Sequence, residues 1–473
     1  MLDYFPKFFS NKAVYLYLIT LALVSGVFFS YTMPLQWFIS GLAAVIGFFY
    51  FSNKLTQKWG KLYPATFTKK VFITALVLRV VWVLFSYILF NMLNGEPFEY
   101  SAADSHFYDV MGRFGSGLIA QGNFNFINEF DKYAGGLAFS DSGYPLYLSF
   151  IYFLTGKSIL IVRLIKALLG AWMCVLIYKL ASRNFGEAVG RMAAIFCMLM
   201  PNLIYYSGLH LKEAEMVFLT VLFIERADSL IRIHKYTFMT VLPTLIIGGS
   251  LFFFRTVLGV TAFFALFTAL IFSSRRVMSM SKKVVITGWV IVALVYFVGS
   301  AIVNEVEELW ENRIENQETS LEFRTTRIGG NTLAKYASKS VFVPLIFVIP
   351  FPTMVDIVHQ QNQQLLHGGY FVKNIMAFFV LFAFFYILKE KKWRDYLLIG
   401  TFTVGYLLVV ALSAFAQSER FHLPALPFML IIAAYGISNI TNKEKKAFNI
   451  YLVLMLVIFI VWSWFKLAGR GMA

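Results

Sequence analysis

Gly95-Glu-Pro-Phe-Glu-Tyr-Ser-Ala-Ala-Asp104-Ser-His106-Phe-Tyr108-Asp109 opens a polar insert that runs to Gly156 and closes on Asp141-Ser-Gly-Tyr-Pro145-Leu-Tyr-Leu. Hydrophobic runs of span length flank it, so a segment that cannot span separates helices that can. Few other places in the chain collect carboxylates, an imidazole and phenols together. Loops of this size and mixed chemistry are more often functional than incidental.

Outward from the insert, the sequence is that of a membrane protein. Of its 473 residues 59% are hydrophobic and 18% aromatic, while only 14% are charged, against roughly 25% in soluble domains. The fold expected is an all-α polytopic bundle of thirteen transmembrane helices, near 13–30, 34–52, 70–92, 159–181, 187–207, 213–231, 237–254, 256–273, 284–303, 370–388, 395–416, 421–439 and 448–466. The parts are two extra N-terminal helices with a cytoplasmic loop (1–69), a catalytic core (70–303) that includes the external loop 94–158, an external polar loop (304–369) and C-terminal helices (370–473).

The net charge of +16 does not imply nucleic acid, because the cations sit in short loops where topology places them. Lys54 to Lys70, Arg183 and Arg191, Arg232 and Lys235, Arg275 to Lys283, Lys389 to Arg394 and Lys443 to Lys446 fall on one face of a thirteen-span chain. That face is expected to be cytoplasmic, with the Asp104 insert outside. Tyr144–Thr155 is too short to span and reads as a helix in the outer interface. Val341–Met354, interrupted by Pro344, Pro350 and Pro352, reads as an outer re-entrant or interfacial element whose backbone protein must cover. The acidic stretch Glu305–Glu322 is then external as well. Cys174 and Cys197 lie in apolar runs and read as buried free thiols. The N-terminus lacks a cleavable leader pattern, so the first apolar run is expected to remain as an anchor.

Asp104, just beyond the third span, can take a proton from an attacking hydroxyl or amine; a solvated loop acid or helix cap is the competing account. By spacing, His106 and Asp109 lie on the helix surface. The outer cations Arg163, Lys166, Lys212, Arg255 and Arg420 oppose the charge rule. A phosphate-bearing lipid headgroup explains several of them at one membrane face better than separate snorkelling does. His359 and His367 flank a Gln-rich polar stretch and read as loop residues. No nucleotide, redox or zinc signature is present, no cofactor is expected, and nothing in the spacing supports a divalent metal.

These residues together resemble the GT-C glycosyltransferases of the protein-mannosyltransferase and lipid A aminoarabinose-transferase type. Asp104 and Tyr108 match the acidic residue and tyrosine after a span. Gly143-Tyr-Pro-Leu-Tyr-Leu-Ser-Phe-Ile-Tyr-Phe-Leu-Thr-Gly156 matches the juxtamembrane helix. Arg163 to Gly170, Leu180 to Gly186 and Met200-Pro201-Asn to Lys212-Glu213 match the following spans and their tips. Arg420-Phe-His422-Leu-Pro424-Ala-Leu-Pro427-Phe, followed by Ala433-Ala-Tyr-Gly436, is similar to the family's Arg-Tyr-x-Leu-Pro-x-x-Pro element. The resemblance covers roughly 70–466 and departs at Ser105, where many members carry Glu.

What it implies is a GT-C-like bundle with external juxtamembrane helices in the first large loop. Its activity would be inverting transfer of a sugar from a polyprenyl-phosphate donor to a glycan, lipid or protein acceptor, at the periplasmic or extracellular face of a prokaryotic cytoplasmic membrane. Asp104 is then the base, and Tyr108, His106, Arg163, Lys212, Glu213, Arg255, Arg420 and His422 form the candidate substrate-binding set. The alternatives are an O-antigen-type polymerase or ligase and a lipid-linked sugar flippase or transporter. A transporter would carry its ionisable groups at mid-membrane, whereas here they crowd one face.

Overall fold

The computed structural model describes residues 2–135, 139–232, 237–272, 330–333, 339–413 and 415–472, with single positions between 288 and 326. Among the described residues every regular element is helical. Eight helices are long and apolar enough to cross a membrane: α1 (Lys7–Val27), α2 (Leu35–Trp59), α3 (Pro64–Asn94), α7 (Ile159–Phe185), α13 (His367–Lys389), α14 (Trp393–Leu412), α15 (Glu419–Ser438) and α16 (Glu444–Ala468). Between α3 and α7 the insert forms α4 (Ala103–Ala120), α5 (Phe126–Ala134) and α6 (Gly143–Thr155). Next come α8 (Glu187–Leu199), α9 (Pro201–Tyr205), α10 (Glu213–Arg232), α11 (Phe238–Phe254) and α12 (Thr256–Phe272). This is the architecture of an α-helical polytopic membrane protein.

The thirteen expected spans correspond unevenly to these helices. The expected span 187–207 is broken: Pro201 cannot continue α8 and starts a new helix, bent by 52°; taken as one span, the pair makes nine. The expected spans 237–254 and 256–273 are the shorter apolar helices α11 and α12. The expected span 213–231 is helix α10, which is absent from the set apolar enough to cross. It buries Glu213, Glu215, Glu225 and Asp228 along with its apolar residues. The expected span 284–303, the acidic stretch 305–322 apart from single positions, and Lys235, Arg275, Arg276, Lys282 and Lys283 lie outside the described residues.

Local chemistry sets the ends of the insert. Pro64 occupies the first turn of α3, where its missing N–H costs nothing. Gly95 (φ 74°) and Gly156 (φ 66°) end α3 and α6 in the left-handed conformation that other residues adopt at a cost. α4 and α6 pack face to face because Gly112 and Gly115 leave room. A Cβ on Gly112 would come within 2.8 Å of the Leu148 Cβ. The expected helix at Tyr144–Thr155 is therefore present, seated on α4.

α1 and α2, read from sequence as an addition, are packed into the body. Phe5 meets Phe49, Phe196 and Phe379, and Phe9 meets Phe379 at 5.3 Å and Phe448 at 4.9 Å. Val341–Met354 continues a 3-10 helix as far as Leu345, is irregular beyond it and is largely buried, and side chains bond to the backbone of the irregular part. Lys373 donates to the Ile349 carbonyl (2.7 Å), Asn374 to those of Val348 and Pro350, and the Phe351 N–H donates to Gln417. Such backbone persists away from water only when paired in this way. Cys174 and Cys197 are buried and free.

Candidate functional site

Polar groups gather toward opposite ends of α7 and α10, apart from Arg79, which is buried midway along α3 and donates to the Ala75 and Cys197 carbonyls. At one end Arg183 pairs with Glu225 and Asp228, Arg232 with Asp228, and Arg191 with Glu187 and the carbonyls of Trp59 and Gly60. At the other end the insert, the α9–α10 turn, the segment Asn362–Leu366 and the starts of α13 and α15 converge on one cavity of about 240 Å³. Its wall includes Glu99, Asp104, Tyr205, Tyr370, Glu419 and Arg420.

Asp104 lies in the first turn of α4, a place that favours a carboxylate. Its Oδ2 accepts a charge-assisted hydrogen bond from Arg420 Nη1 across 316 residues of sequence. Behind this pair, Glu213 is 1% exposed. Its Oε1 lies 3.5 Å from Arg420 Nε and 3.8 Å from Arg255 Nη2. Both guanidinium groups stack on Phe421, at 4.3 Å for Arg255 and 5.3 Å for Arg420, and Arg255 also donates to Tyr406 Oη at 3.3 Å. Two cations thus share one buried carboxylate and one ring. Lys212 extends the cluster by pairing with Asp141 and donating to the Phe254 carbonyl at 2.7 Å. Burial pulls the Lys212 ammonium below the usual lysine range, and Asp141 opposes that shift. Tyr108, one turn beyond Asp104, packs edge-on against Tyr144 at 5.0 Å. Burial first, then Glu213 and Asp141, push its phenol upward.

The other expected site residues lie elsewhere. Arg163 is fully buried; its Nη2 donates to the Pro97 carbonyl, and Nε and Nη1 have no hydrogen-bond partner. His106 is half exposed, 3.4 Å from Glu96, with its ring on Phe98; it does not line the cavity. His422 is buried with Nε2 2.8 Å from the Ala416 carbonyl. Asp109, expected on the helix surface, is instead 9% exposed. It accepts from Tyr152 Oη at 2.5 Å and from Arg113 Nε at 2.7 Å, which ties α4 to α6. His359 is exposed while His367 is buried against Tyr17 at 2.7 Å, so the two do not converge.

Sequence reasoning missed several participants. Glu99 is 6% exposed and lines the cavity. Its Oε1 accepts from Ser105 Oγ at 2.7 Å, and its Oε2 has no hydrogen-bond partner. Burial pushes its carboxyl up, with Ser105, Arg163 and Lys166 opposing. Glu419 accepts from Asn202 Nδ2 at 2.8 Å and lies 3.6 Å from Lys373, both ions buried. Lys166, noted as an outer cation, is paired internally with Glu215 at 3.6 Å and stacked on Tyr144. His210 is buried 3.2 Å from Tyr152 Oη. Burial first, then Lys166, Arg163 and Arg113, hold its imidazole well below the usual histidine range. One signal for these groups was available: buried carboxylates in an apolar chain require partners.

Among the described residues no group of three or more His, Cys, Asp and Glu side chains is arranged to hold a metal ion. The site therefore offers a carboxylate that can accept a proton, beside guanidinium groups that can neutralise an anion. No protein-family model matches the chain, and no match is found among curated proteins.

Proposed function

We propose that the chain is an integral-membrane glycosyltransferase of the GT-C type. It takes a sugar from a polyprenyl-phosphate donor and transfers it to an acceptor at the outer face of the cytoplasmic membrane. The observation that carries this reading is the meeting of Asp104 and Arg420, with Arg255 and Glu213 behind them, at one cavity of a membrane bundle. A base and an anion cradle in contact are what displacement of a phosphate ester requires.

In this reading the acceptor O–H or N–H gives its proton to a carboxylate oxygen of Asp104 as the acceptor atom bonds to the anomeric carbon. The bond from that carbon to the phosphate oxygen breaks on the opposite face, inverting the centre. The electron pair leaves with the polyprenyl phosphate, whose charge Arg420 and Arg255 neutralise. Without ligand, Arg420 already holds Asp104. A donor phosphate that draws Arg420 toward itself frees the base only once the donor is in place. The buried Glu213 side chain keeps both arginines oriented through the exchange.

The test uses purified protein in nanodiscs with a synthetic polyprenyl-phosphate sugar. Saturable binding, followed by release of polyprenyl phosphate when an acceptor-containing membrane extract is added, is the expected result. Absence of saturable binding overturns the reading.

A further inference from the structure

The cavity wall carries charge unevenly. Among the described residues its charged side chains are the carboxyls of Glu99, Asp104 and Glu419 and the guanidinium of Arg420. Arg420 is already shared between Asp104 and Glu213. Lys373, the cation that faces Glu419, is fully buried and committed to Glu419 and the Ile349 carbonyl. A donor phosphate would use what remains of Arg420, leaving no lining cation for a second anion. The rest of the wall is neutral, with Ala103, Leu209, Leu211 and Leu366 as its apolar part. Ser101, Asn362, Gln363 and Ser418 offer hydroxyl and amide groups, and Tyr206 and Tyr370 contribute aromatic side chains. Buried oxygens on three lining residues, Glu99 Oε2, Tyr205 Oη and Asn362 Oδ1, have no hydrogen-bond partner. Unpaired oxygens of this kind call for donors. At about 240 Å³ the space is below the roughly 300–1,000 Å³ of pockets for drug-sized ligands, which suits one ring rather than a chain of them.

We propose that this cavity selects a non-acidic, hydroxyl-bearing ring and rejects a ring that carries a carboxylate, with Glu99 as the residue that sets the discrimination. The inference rests on the lipid-phosphate reading above, and names the class of sugar that the site accepts. A ring carboxylate would lie among the carboxyls of Glu99, Asp104 and Glu419, where like charges repel. A hydroxymethyl group at the same ring position would instead donate to one of the unpaired oxygens. Glu99 is the discriminating member because Asp104 and Glu419 each form an ion pair, whereas Glu99 hydrogen-bonds to the neutral Ser105, leaves Oε2 without a hydrogen-bond partner and feels Arg163 and Lys166 only from beyond ion-pair distance.

The experiment compares three probes on the full-length protein in nanodiscs: polyprenyl phosphate, polyprenyl-phosphate glucose and polyprenyl-phosphate glucuronate. The last two differ only in a hydroxymethyl or a carboxylate. The glucose form should bind at least tenfold more tightly than the glucuronate form. Glu99→Gln, which keeps the shape and removes the charge, should narrow that ratio to threefold or less while the glucose form still binds. Should Glu99→Gln fold poorly, Ser101→Lys adds a cation at an exposed lining position, and should raise glucuronate affinity at least fivefold over wild type. Equal binding of the two sugar forms by wild type overturns the proposal, and so does an unchanged ratio in a folded Glu99→Gln. If polyprenyl phosphate itself does not bind, the lipid-phosphate reading fails instead, and the two failures are told apart.

Discussion

Asp104→Asn separates the two jobs that the Asp104–Arg420 contact assigns to one carboxylate. The substitution keeps the side-chain size but cannot accept the acceptor's proton, and it removes the ion that holds Arg420 in the absence of ligand. Loss of a positioned base slows transfer by about 10²–10⁴-fold. The effect on the donor runs the other way. The pair is partly open to solvent, with side-chain exposures of 29% for Arg420 and 47% for Asp104, so it is worth about 0–1 kcal/mol. Arg420 freed of this partner should bind a lipid phosphate up to about 5-fold more tightly, since ~1.4 kcal/mol is tenfold. The assay pairs equilibrium binding of polyprenyl phosphate in nanodiscs with transfer from its sugar ester by the same preparations. Transfer within a fewfold of wild type would remove Asp104 as the base. Donor affinity that falls instead of rising would refute the competition between carboxylate and phosphate.

Four further outcomes follow from the same geometry. Arg420→Ala should weaken lipid-phosphate binding by roughly 10–150-fold, the worth of a charge-assisted contact, and Arg420→Lys should restore only part of it because a point charge replaces a planar fork; titration of each variant checks this. Gly112→Ala places a methyl against Leu148 and should destabilise the α4–α6 pair by about 1–3 kcal/mol, read as a lower thermal midpoint that Gly117→Ala, with open space around it, does not share. His210 is neutral in the fold, so the unfolded chain binds a proton that the folded one does not as pH drops below about 6.5; the thermal midpoint should decline below that pH, less steeply in His210→Gln. Single cysteines at 104 and 445 in an otherwise cysteine-free chain should label from outside and from inside respectively with an impermeant thiol reagent; the reverse would invert the topology.

How legible the molecule was in its sequence depended on which force placed each residue. α3, α7, α13 and α16 could be read because apolar length alone makes a span. α10 was read as a span on length, although Glu213, Glu215, Glu225 and Asp228 already stood in it; tertiary pairing allows a helix to bury such groups, and periodicity does not report pairing. Within α4 the helical repeat held more than was taken from it. At about 100° per residue, Tyr108 stands some 40° from Asp104, on its side of the helix. Asp109 stands about 140° away and His106 about 160°, consistent with Asp109 facing α6 and His106 facing Glu96. Arg420 was legible as a cation that broke the charge rule, but its partner 316 positions earlier was not. Glu99 stood out only as a carboxylate in an apolar chain; that it is buried on Ser105 Oγ and lines the cavity is set by tertiary contacts that no local pattern reports.

The ring contacts between α1 and α16 bear on how the protein is made. Phe9 is synthesised early and Phe448 late, yet they pack at 4.9 Å. Roughly 440 residues separate them, so at ~5–20 residues per second the ribosome needs about 20–90 s to deliver the second ring after the first. During that interval α1 can already pack on α2, as Phe5 does on Phe49, but Phe9 has lipid where Phe379 and Phe448 will lie. In water such a wait would invite aggregation, but acyl chains are as apolar as the eventual partner and the exposed face costs little. A closure between residues this far apart is thus tolerated in a bilayer, and it makes the seam between α1 and α16 sensitive to interrupted synthesis.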